Sequence, residues 1–228
     1  MIDIHTHLLP GVDDGAKDAQ MTEKMLARAA DAGISAVICT PHVYRVQDQE
    51  RNRLAFPAAK EIARRHGIAL AMGCEFNYRA LIKTPLESLG AHTLAGSPFL
   101  LLEFSNDRLF PDWDIMLGDI ADCGIHPIVA HPERYTYIQK DICIAEEMIA
   151  YGCELQVDAG GLMASLFDRE RKTARKLLSN GMVSYIASDA HRPEHYATFE
   201  KAYRTFKGEW PTKNRLNSYM KKKGGERG

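Results

Sequence analysis

His5 and His7 stand two residues apart at the end of the short apolar run that opens the chain, MIDIHTH. In an extended strand, side chains at i and i+2 point to the same face. Two imidazoles at the carboxyl end of a first strand can therefore reach one metal ion, provided carboxylates from elsewhere complete the site. The same residue types recur at the ends of later apolar runs: His42, Glu75, Glu103, His131, then Asp189 and His191. A lone histidine or glutamate at a strand end is ordinarily a hydrogen-bonded polar residue. That explanation would have to hold independently at six of seven run ends, whereas one metal centre accounts for all of them together.

These histidines with Asp14, Glu75, Glu103 and Asp189 exceed what one tetrahedral zinc takes, and an oxygen and nitrogen set without thiolates suits Mn²⁺, Fe or Zn²⁺ in a site of two or three ions. A carboxylate such as Glu75 can bridge ions about 4 Å apart, the separation used for in-line displacement at phosphorus by a metal-activated hydroxide. His66, His92, His126 and His195 fall at a helix end, in a loop, at a strand start and in a late helical segment, and read as structural or solvated. Asp158, followed by Ala159-Gly160-Gly161, either supports a ligand from behind or is simply a turn residue, the latter preferred, and it stays off the ligand set.

Seven apolar runs, at 2–5, 36–40, 69–74, 99–104, 127–131, 155–158 and 184–188, predict strands. Amphipathic segments between them, such as 19–32, 51–66, 113–123, 141–151 and 168–180, predict helices, with Gly33, Gly67, Gly124, Gly152 and Gly181 marking their exits. Alternation of helices with nearly all-apolar strands implies an α/β protein whose parallel sheet is covered by helices, either doubly wound or closed as a barrel. In parallel barrels the active-site residues come from the carboxyl ends of the strands, where the metal-capable side chains cluster here. The first strand carries no Gly-rich phosphate fingerprint, and no linker or composition break divides the chain. A single domain over 1–228 is expected, with a C-terminal helix and flexible tail after about residue 208.

Composition narrows the function classes. The 228 residues are 45% apolar and 26% charged with a net charge of −1, so no global field favours nucleic acid or anionic lipid. No apolar run approaches the roughly 20 residues of a membrane span, and the start lacks the pattern of a secretory signal, so a cytoplasmic protein without membrane insertion is expected. Cys39, Cys74, Cys123, Cys143 and Cys153 are odd in number and unclustered, which fits reduced core thiols better than disulfides.

In order, DIHTH, GVDDG, TPH, GCE, LLEF, AHPERY and ASDAH resemble the motif set of the polymerase and histidinol phosphatase (PHP) superfamily. MIDIHTHLLPGVDDGAKD and AHPERY resemble more narrowly its bacterial tyrosine phosphatase branch, which acts in capsular and exopolysaccharide biosynthesis. The likeness spans about residues 1–192. It implies a distorted seven-stranded (β/α)7 barrel holding up to three ions, usually Mn²⁺. By similarity, His5, His7, Glu75 and Asp189 would hold one ion. Glu75 would bridge to a second, bound also by Glu103 and His131, while Asp14, His42 and His191 would hold a third; Asp13 stands beside Asp14 as the alternative. Arg134, after the AHPE element, would hold phosphate. A second family arginine has no clear counterpart in the shortened segment after ASDAH, and Arg192 is near enough to substitute.

The expected reaction is hydrolysis of phosphotyrosine on a protein, with a bacterial tyrosine kinase of polysaccharide synthesis as the implied partner. His42 or His191 would protonate the leaving oxygen if not fully committed to metal. Tyr44, Tyr78 and Tyr135 follow three ligand motifs and either line the mouth or are rim residues without a role. The alternatives are histidinol-phosphate phosphatase or another small phosphomonoesterase, and a metal-bound interaction scaffold without activity. Cys39 and Arg45 have the Cys-x5-Arg spacing of thiol-dependent tyrosine phosphatases. The intervening residues contain no Gly and one Pro, which lacks an N–H, so no phosphate-wrapping loop is expected there.

Overall fold

The computed structural model of the protein describes residues 1–45, 48–212 and 215–224. Among these are nine strands: β1 (Ile2–Asp3), β2 (Ala36–Cys39), β3 (His42–Val43), β4 (Ala69–Met72), β5 (Glu75–Asn77), β6 (Phe99–Glu103), β7 (His126–Ala130), β8 (Glu154–Asp158) and β9 (Val183–Ala187). Every pairing between them is parallel. The helices are α1 (Ala19–Asp31), α2 (Asp48–Arg65), α3 (Tyr78–Leu81), α4 (Trp113–Asp122), α5 (Thr136–Lys140), α6 (Cys143–Ala150), α7 (Ala159–Met163), α8 (Arg169–Ser179), α9 (Pro193–Thr205) and α10 (Asn217–Gly224). None is long and apolar enough to cross a membrane. The expected C-terminal helix is α10, and the tail at 225–228 lies outside the described residues.

All seven expected strands are present, but they do not form one closed sheet. They split into a three-stranded sheet, β1-β2-β4, and a six-stranded sheet, β3-β5-β6-β7-β8-β9. Two expected strands break near their carboxyl ends, and the short β3 and β5 that follow pair in the larger sheet. Pro41 supplies one break, since it has no N–H for a ladder. Gly73 supplies the other. A Cβ there would lie 2.6 Å from Leu94 Cδ2, so the chain approaches its neighbours more closely than a side chain permits. Opposite these breaks, β1 gives way to extended chain whose Thr6 bridges Ala190 in parallel, joining the edge of the small sheet to the end of β9. His7 N donates to Ala190 O at 2.9 Å and Asp189 N to His5 O at 3.0 Å, so this seam holds the first and last candidate ligand segments side by side.

Strand alternation divides the core into two. Ile4, Ile38, Phe99, Leu101, Ile128 and Ala187 form an inner apolar cluster joined by Leu216 and Met220 from the C-terminal segment. Val37, Leu100, Leu102, Val129, Leu155 and Val157 belong to an outer cluster with helix residues such as Met25, Ile62, Leu117, Leu177 and Phe199. Fully burying one such side chain contributes roughly 1.5–3 kcal/mol. The inner positions of β8 are polar instead: Glu154, Gln156 and Asp158, opposite in phase to Leu155 and Val157. The five helix-exit glycines have φ between 69° and 89°, the left-handed conformation that ends a helix without a Cβ penalty.

Candidate metal centre

The candidate ligands gather where the chain leaves the carboxyl ends of the strands. His5 and His7 lie just past β1, His42 and Glu75 open the short β3 and β5, Glu103 closes β6, His131 follows β7, and Asp189 and His191 follow β9. His5 Nε2 and His7 Nε2 face each other at 3.2 Å. Glu75 Oε2 is 3.3 Å from each of them, and Asp189 Oδ1 is 3.3 Å and 3.2 Å away. On the far side of Glu75, His131 Nε2 lies 2.7 Å from Oε1, and His42 Nδ1 lies 2.9 Å from Oε2. Asp14 Oδ1 faces His42 Nε2 at 3.5 Å and His191 Nε2 at 3.3 Å. Among the described residues, three groups hold their donor atoms mutually within 4.8 Å: His5, His7 and Glu75; His42, Glu75 and Glu103; and His7, Asp14, His42 and His191. His7 and His42 each belong to two groups, a sharing that motif spacing does not reveal.

The backbone is shaped to make this possible. His131 and Asp189 are non-glycine residues at φ 34° and 46°, a conformation that is uncommon and concentrates at functional sites. Gly15 lets the GVDDG loop lie against His7: a Cβ there would sit 1.9 Å from His7 O. Ala16 N then donates to that same carbonyl at 2.9 Å.

Outer hydrogen bonds turn the rings. His5 Nδ1 meets Gln156 Oε1 at 2.7 Å, His7 Nδ1 meets Asp13 Oδ2 at 2.8 Å, and His191 Nδ1 meets the Asp189 carbonyl at 3.0 Å. In each case Nδ1 is spent on an acceptor and Nε2 is directed into the cluster, the arrangement of metal-ligating imidazoles. Asp13 also accepts from Gly15 N at 3.0 Å and His42 N at 3.3 Å. Asp13 therefore braces His7 and the loop, while Asp14 presents its carboxylate to His42 and His191.

The electrostatics ask for a cation. Glu75 Oε2, Asp189 Oδ1 and His42 Nδ1 are buried and face charged partners at 2.9–3.3 Å without an aligned hydrogen bond, and His131 Nδ1 is buried with no partner, an arrangement that is costly unless another species completes it. Burial pushes the Glu75 and Asp189 carboxyls up, yet the neighbouring histidines hold both well below the usual range. Burial likewise opposes charge on His5, but Glu75 and Asp189 outweigh it and raise His5 to about 9. Burial and the Glu75 charge raise Glu103; burial and His7 lower His191. The protons on this cluster occupy the place a divalent ion would take, and the thiolate-free donor set fits a hard or borderline metal.

Arg134 flanks the cluster in a cavity of about 420 Å³ lined by Asp158, Gly160, Ser188, Asp189, His191, His195 and Thr198. Its guanidinium bonds Asp189 Oδ2 at 2.6 Å and pairs with Asp158 Oδ2. Burial disfavours that cation, but Asp158 and Asp189 hold its pKa above the ordinary value. Arg134 does not pair with its neighbour Glu133. Glu133 is buried, its carboxyl raised above the usual range by burial and by the Asp158 charge. Arg192 is exposed at the start of α9, outside the residues lining this cavity.

Several expectations need correction. Asp158 is 1% exposed at the end of β8 and pairs with Arg134, which sets aside the turn reading and leaves the other. His195 lines the cavity, and its Nδ1 accepts from His191 N at 3.3 Å, a structural brace on the loop that carries His191. Tyr135 is fully buried, its hydroxyl accepting from Phe104 N at 2.9 Å, so it is not at the mouth. Tyr78 stacks on Phe110 with ring centres 5.2 Å apart, whereas the exposed Tyr44 stacks on His42 at 4.9 Å. All five cysteines are free, two of them, Cys123 and Cys143, exposed. The Cys39 thiol is buried, donates to Ala71 O at 3.2 Å, and is pushed far above its ordinary pKa by burial, so it is no nucleophile.

Comparison with known proteins agrees with this geometry. The chain is 30% identical over 201 residues to tyrosine-protein phosphatase CpsB of Streptococcus pneumoniae, covering 84% of this chain and 83% of that protein. It is 28% identical over 211 residues to tyrosine-protein phosphatase YwqE of Bacillus subtilis, covering 89% and 83%. A solved structure from work on YwqE of Bacillus subtilis and CpsB of Streptococcus pneumoniae, described as unique metal-dependent tyrosine phosphatases, superposes with a TM-score of 0.74 at 25% identity, covering 97% of this chain and 92% of that one. Residues 1–210 match the capsular polysaccharide synthesis family CpsB/CapC, and the chain belongs to that family.

Proposed function

We propose that this protein is a metal-dependent phosphatase acting on phosphotyrosine in proteins. The observation that carries the reading is the convergence of His5, His7, His42, Glu75 and Asp189 with buried carboxylate oxygens that make no aligned hydrogen bond, and with Arg134 beside them. The donor set supports one ion held by His5, His7, Glu75 and Asp189. It supports a second held by Glu75, Glu103 and His131, and a third by Asp14, His42 and His191. His42 and His7 stand at the junctions. Mn²⁺ is the proposed metal; Fe and Zn²⁺ accept the same donors. Such ions supply a hydroxide at neutral pH and neutralise the phosphoryl oxygens.

The chain's own residues do the rest. Arg134 holds a phosphoryl oxygen through a planar fork that matches phosphate geometry and offsets charge that grows in the transition state. Arg192, exposed one residue beyond His191 and outside the cavity lining, is the proposed second arginine for phosphate. His42 Nε2 or His191 Nε2 donates a proton to the departing tyrosyl oxygen when not taken up by an ion. With a phenol pKa of about 10, that oxygen needs less help than an alkyl alkoxide. Tyr44, exposed over His42, offers a ring for the substrate phenyl group.

We read the two sheets as one distorted barrel whose seam is the bridge between Thr6 and Ala190, the whole chain being a single cytoplasmic domain that dephosphorylates a bacterial tyrosine kinase of capsule or exopolysaccharide synthesis. The test is phosphate release from a phosphotyrosyl peptide and from histidinol phosphate, using chelator-stripped protein resupplied with Mn²⁺. Metal-restored turnover favouring the peptide supports the proposal. Preference for histidinol phosphate overturns the substrate, and no turnover of either by metal-loaded protein overturns the enzyme reading in favour of a scaffold.

A further inference from the structure

On its inner face β8 carries a polar pair, Gln156 and Asp158, 0% and 1% exposed, where every other strand of this size contributes apolar residues. Their hydrogen bonds form a directed chain. Gln156 Nε2 donates to Asp158 Oδ1 at 2.8 Å, and Gln156 Oε1 meets His5 Nδ1 at 2.7 Å. An amide nitrogen only donates and a carboxylate only accepts. Asp158 therefore decides which way the Gln156 amide faces, and the Gln156 oxygen in turn requires the hydrogen of His5 to sit on Nδ1. Nε2 is then the nitrogen that gives up its proton to a metal ion, with its lone pair directed between Glu75 and Asp189. The other carboxylate oxygen of Asp158 pairs with Arg134. Asp158 is pinned from behind, since its N–H donates to Glu133 Oε1 at 2.8 Å. Gly161 permits that approach: a Cβ there would lie 2.7 Å from the same oxygen.

We propose that Asp158 and Gln156 are a positioning couple through which one carboxylate sets both the metal-binding tautomer of His5 and the pose of the phosphate-holding Arg134. The inference rests on the metal and phosphate roles proposed above. Neither residue belongs to the proposed ion ligands; each acts through another side chain.

The chemistry can be reversed, which separates this role from a merely structural one. In Asp158→Asn the amide has one acceptor for two donors. The charged guanidinium claims it, as charge-assisted hydrogen bonds are the stronger, so an NH2 group faces Gln156 and turns that amide over. His5 then meets a donor at Nδ1 and loses the required tautomer. Adding Gln156→Glu restores an acceptor toward both His5 and the new amide. The experiment titrates metal-free protein with Mn²⁺, reading free Mn²⁺ by its EPR signal, for wild type, Asp158→Asn and the double variant, with thermal melts of each. Loss of outer-sphere partners of metal-bound histidines costs about 10–100-fold in affinity. The expected result is a drop of at least about tenfold for Asp158→Asn and recovery of most of it in the double variant. Unchanged Mn²⁺ affinity in a folded Asp158→Asn, or a double variant no better than the single, overturns the proposal. Should Asp158→Asn not fold, Gln156→Leu replaces it. There Mn²⁺ affinity is expected to fall while orthophosphate inhibition at saturating Mn²⁺ is unchanged, and any other pattern overturns the proposal. Wild-type protein that binds no Mn²⁺ would overturn the metal reading itself.

Discussion

Asp13 Oδ2 lies 2.8 Å from Nδ1 of His7, and this contact holds the Nε2 of His7 toward both Glu75 and Asp189. The neighbouring Asp14 does something different, presenting Oδ1 to His42 and His191. Adjacent carboxylates thus divide between bracing an imidazole and offering a donor. Asp13→Ala is expected to weaken Mn²⁺ binding about 10–100-fold across the cluster, whereas Asp14→Ala should remove one ion and leave the affinity of the others near wild type. Metal content after dialysis against graded chelator distinguishes the two.

Gly15→Ala should behave as a site mutation although it adds only a methyl group. Its Cβ would sit 1.9 Å from the His7 carbonyl oxygen and 2.5 Å from the His7 Cβ, both near the chain axis, so the loop must move away and take Asp13 and Asp14 with it. Turnover and metal content are expected to fall together, with the apolar core intact by near-ultraviolet circular dichroism. Full metal content in this variant would show that the loop is not needed for binding.

Arg134→Ala is expected to keep its metals and lose about 10²–10³-fold in turnover, the scale for removing one preorganised donor to a transition-state oxyanion. Arg134→Lys should recover little, because an ammonium cannot reproduce the fork. Steady-state kinetics on a phosphotyrosyl peptide, with metal content measured in parallel, checks both.

His7→Ala or Asp189→Ala should abolish turnover and lower metal content, whereas Cys39→Ser should leave most activity. The Cys39 thiol is buried with its pKa pushed up by that burial, far from a thiolate nucleophile. Loss of activity in Cys39→Ser at normal metal content would sink the metal mechanism.

Binding and stability should both depend on pH. In the metal-free protein His5 sits at about 9, above its unfolded value of 6.5, because Glu75 and Asp189 outweigh the opposing effect of burial. The folded state therefore holds a proton that the unfolded state releases between these values. Its contribution, on the order of 3 kcal/mol, is fully present below 6.5 and lost as pH rises through 9. Metal-free protein should accordingly lose stability between pH 7 and 10. Mn²⁺ must displace that proton, so Mn²⁺ affinity should rise with pH up to about 9. Calorimetric titrations in buffers of different ionisation enthalpy should record proton release on binding, and none would contradict the assignment of His5 as a ligand.

Features that depend on neighbours a few residues away are readable along the chain. Alternation in an extended chain puts His5 and His7 on one side, apolar runs mark seven strands, and Gly33, Gly67, Gly124, Gly152 and Gly181 close helices because a left-handed residue is needed there. Strand ends rich in His, Glu and Asp were legible as one centre because chance does not place them there repeatedly. Features that depend on register between distant strands emerge with folding. Gln156 reaches His5 across 151 positions and Arg134 reaches Asp189 across 55, distances at which local spacing carries no information. The division of labour between Asp13 and Asp14, the burial of Asp158 and Tyr135, the turn of His195 into the cavity and the split into two sheets at Pro41 and Gly73 all follow from packing. A residue type states what a side chain can bond, but the fold determines which partner comes within 3 Å of it.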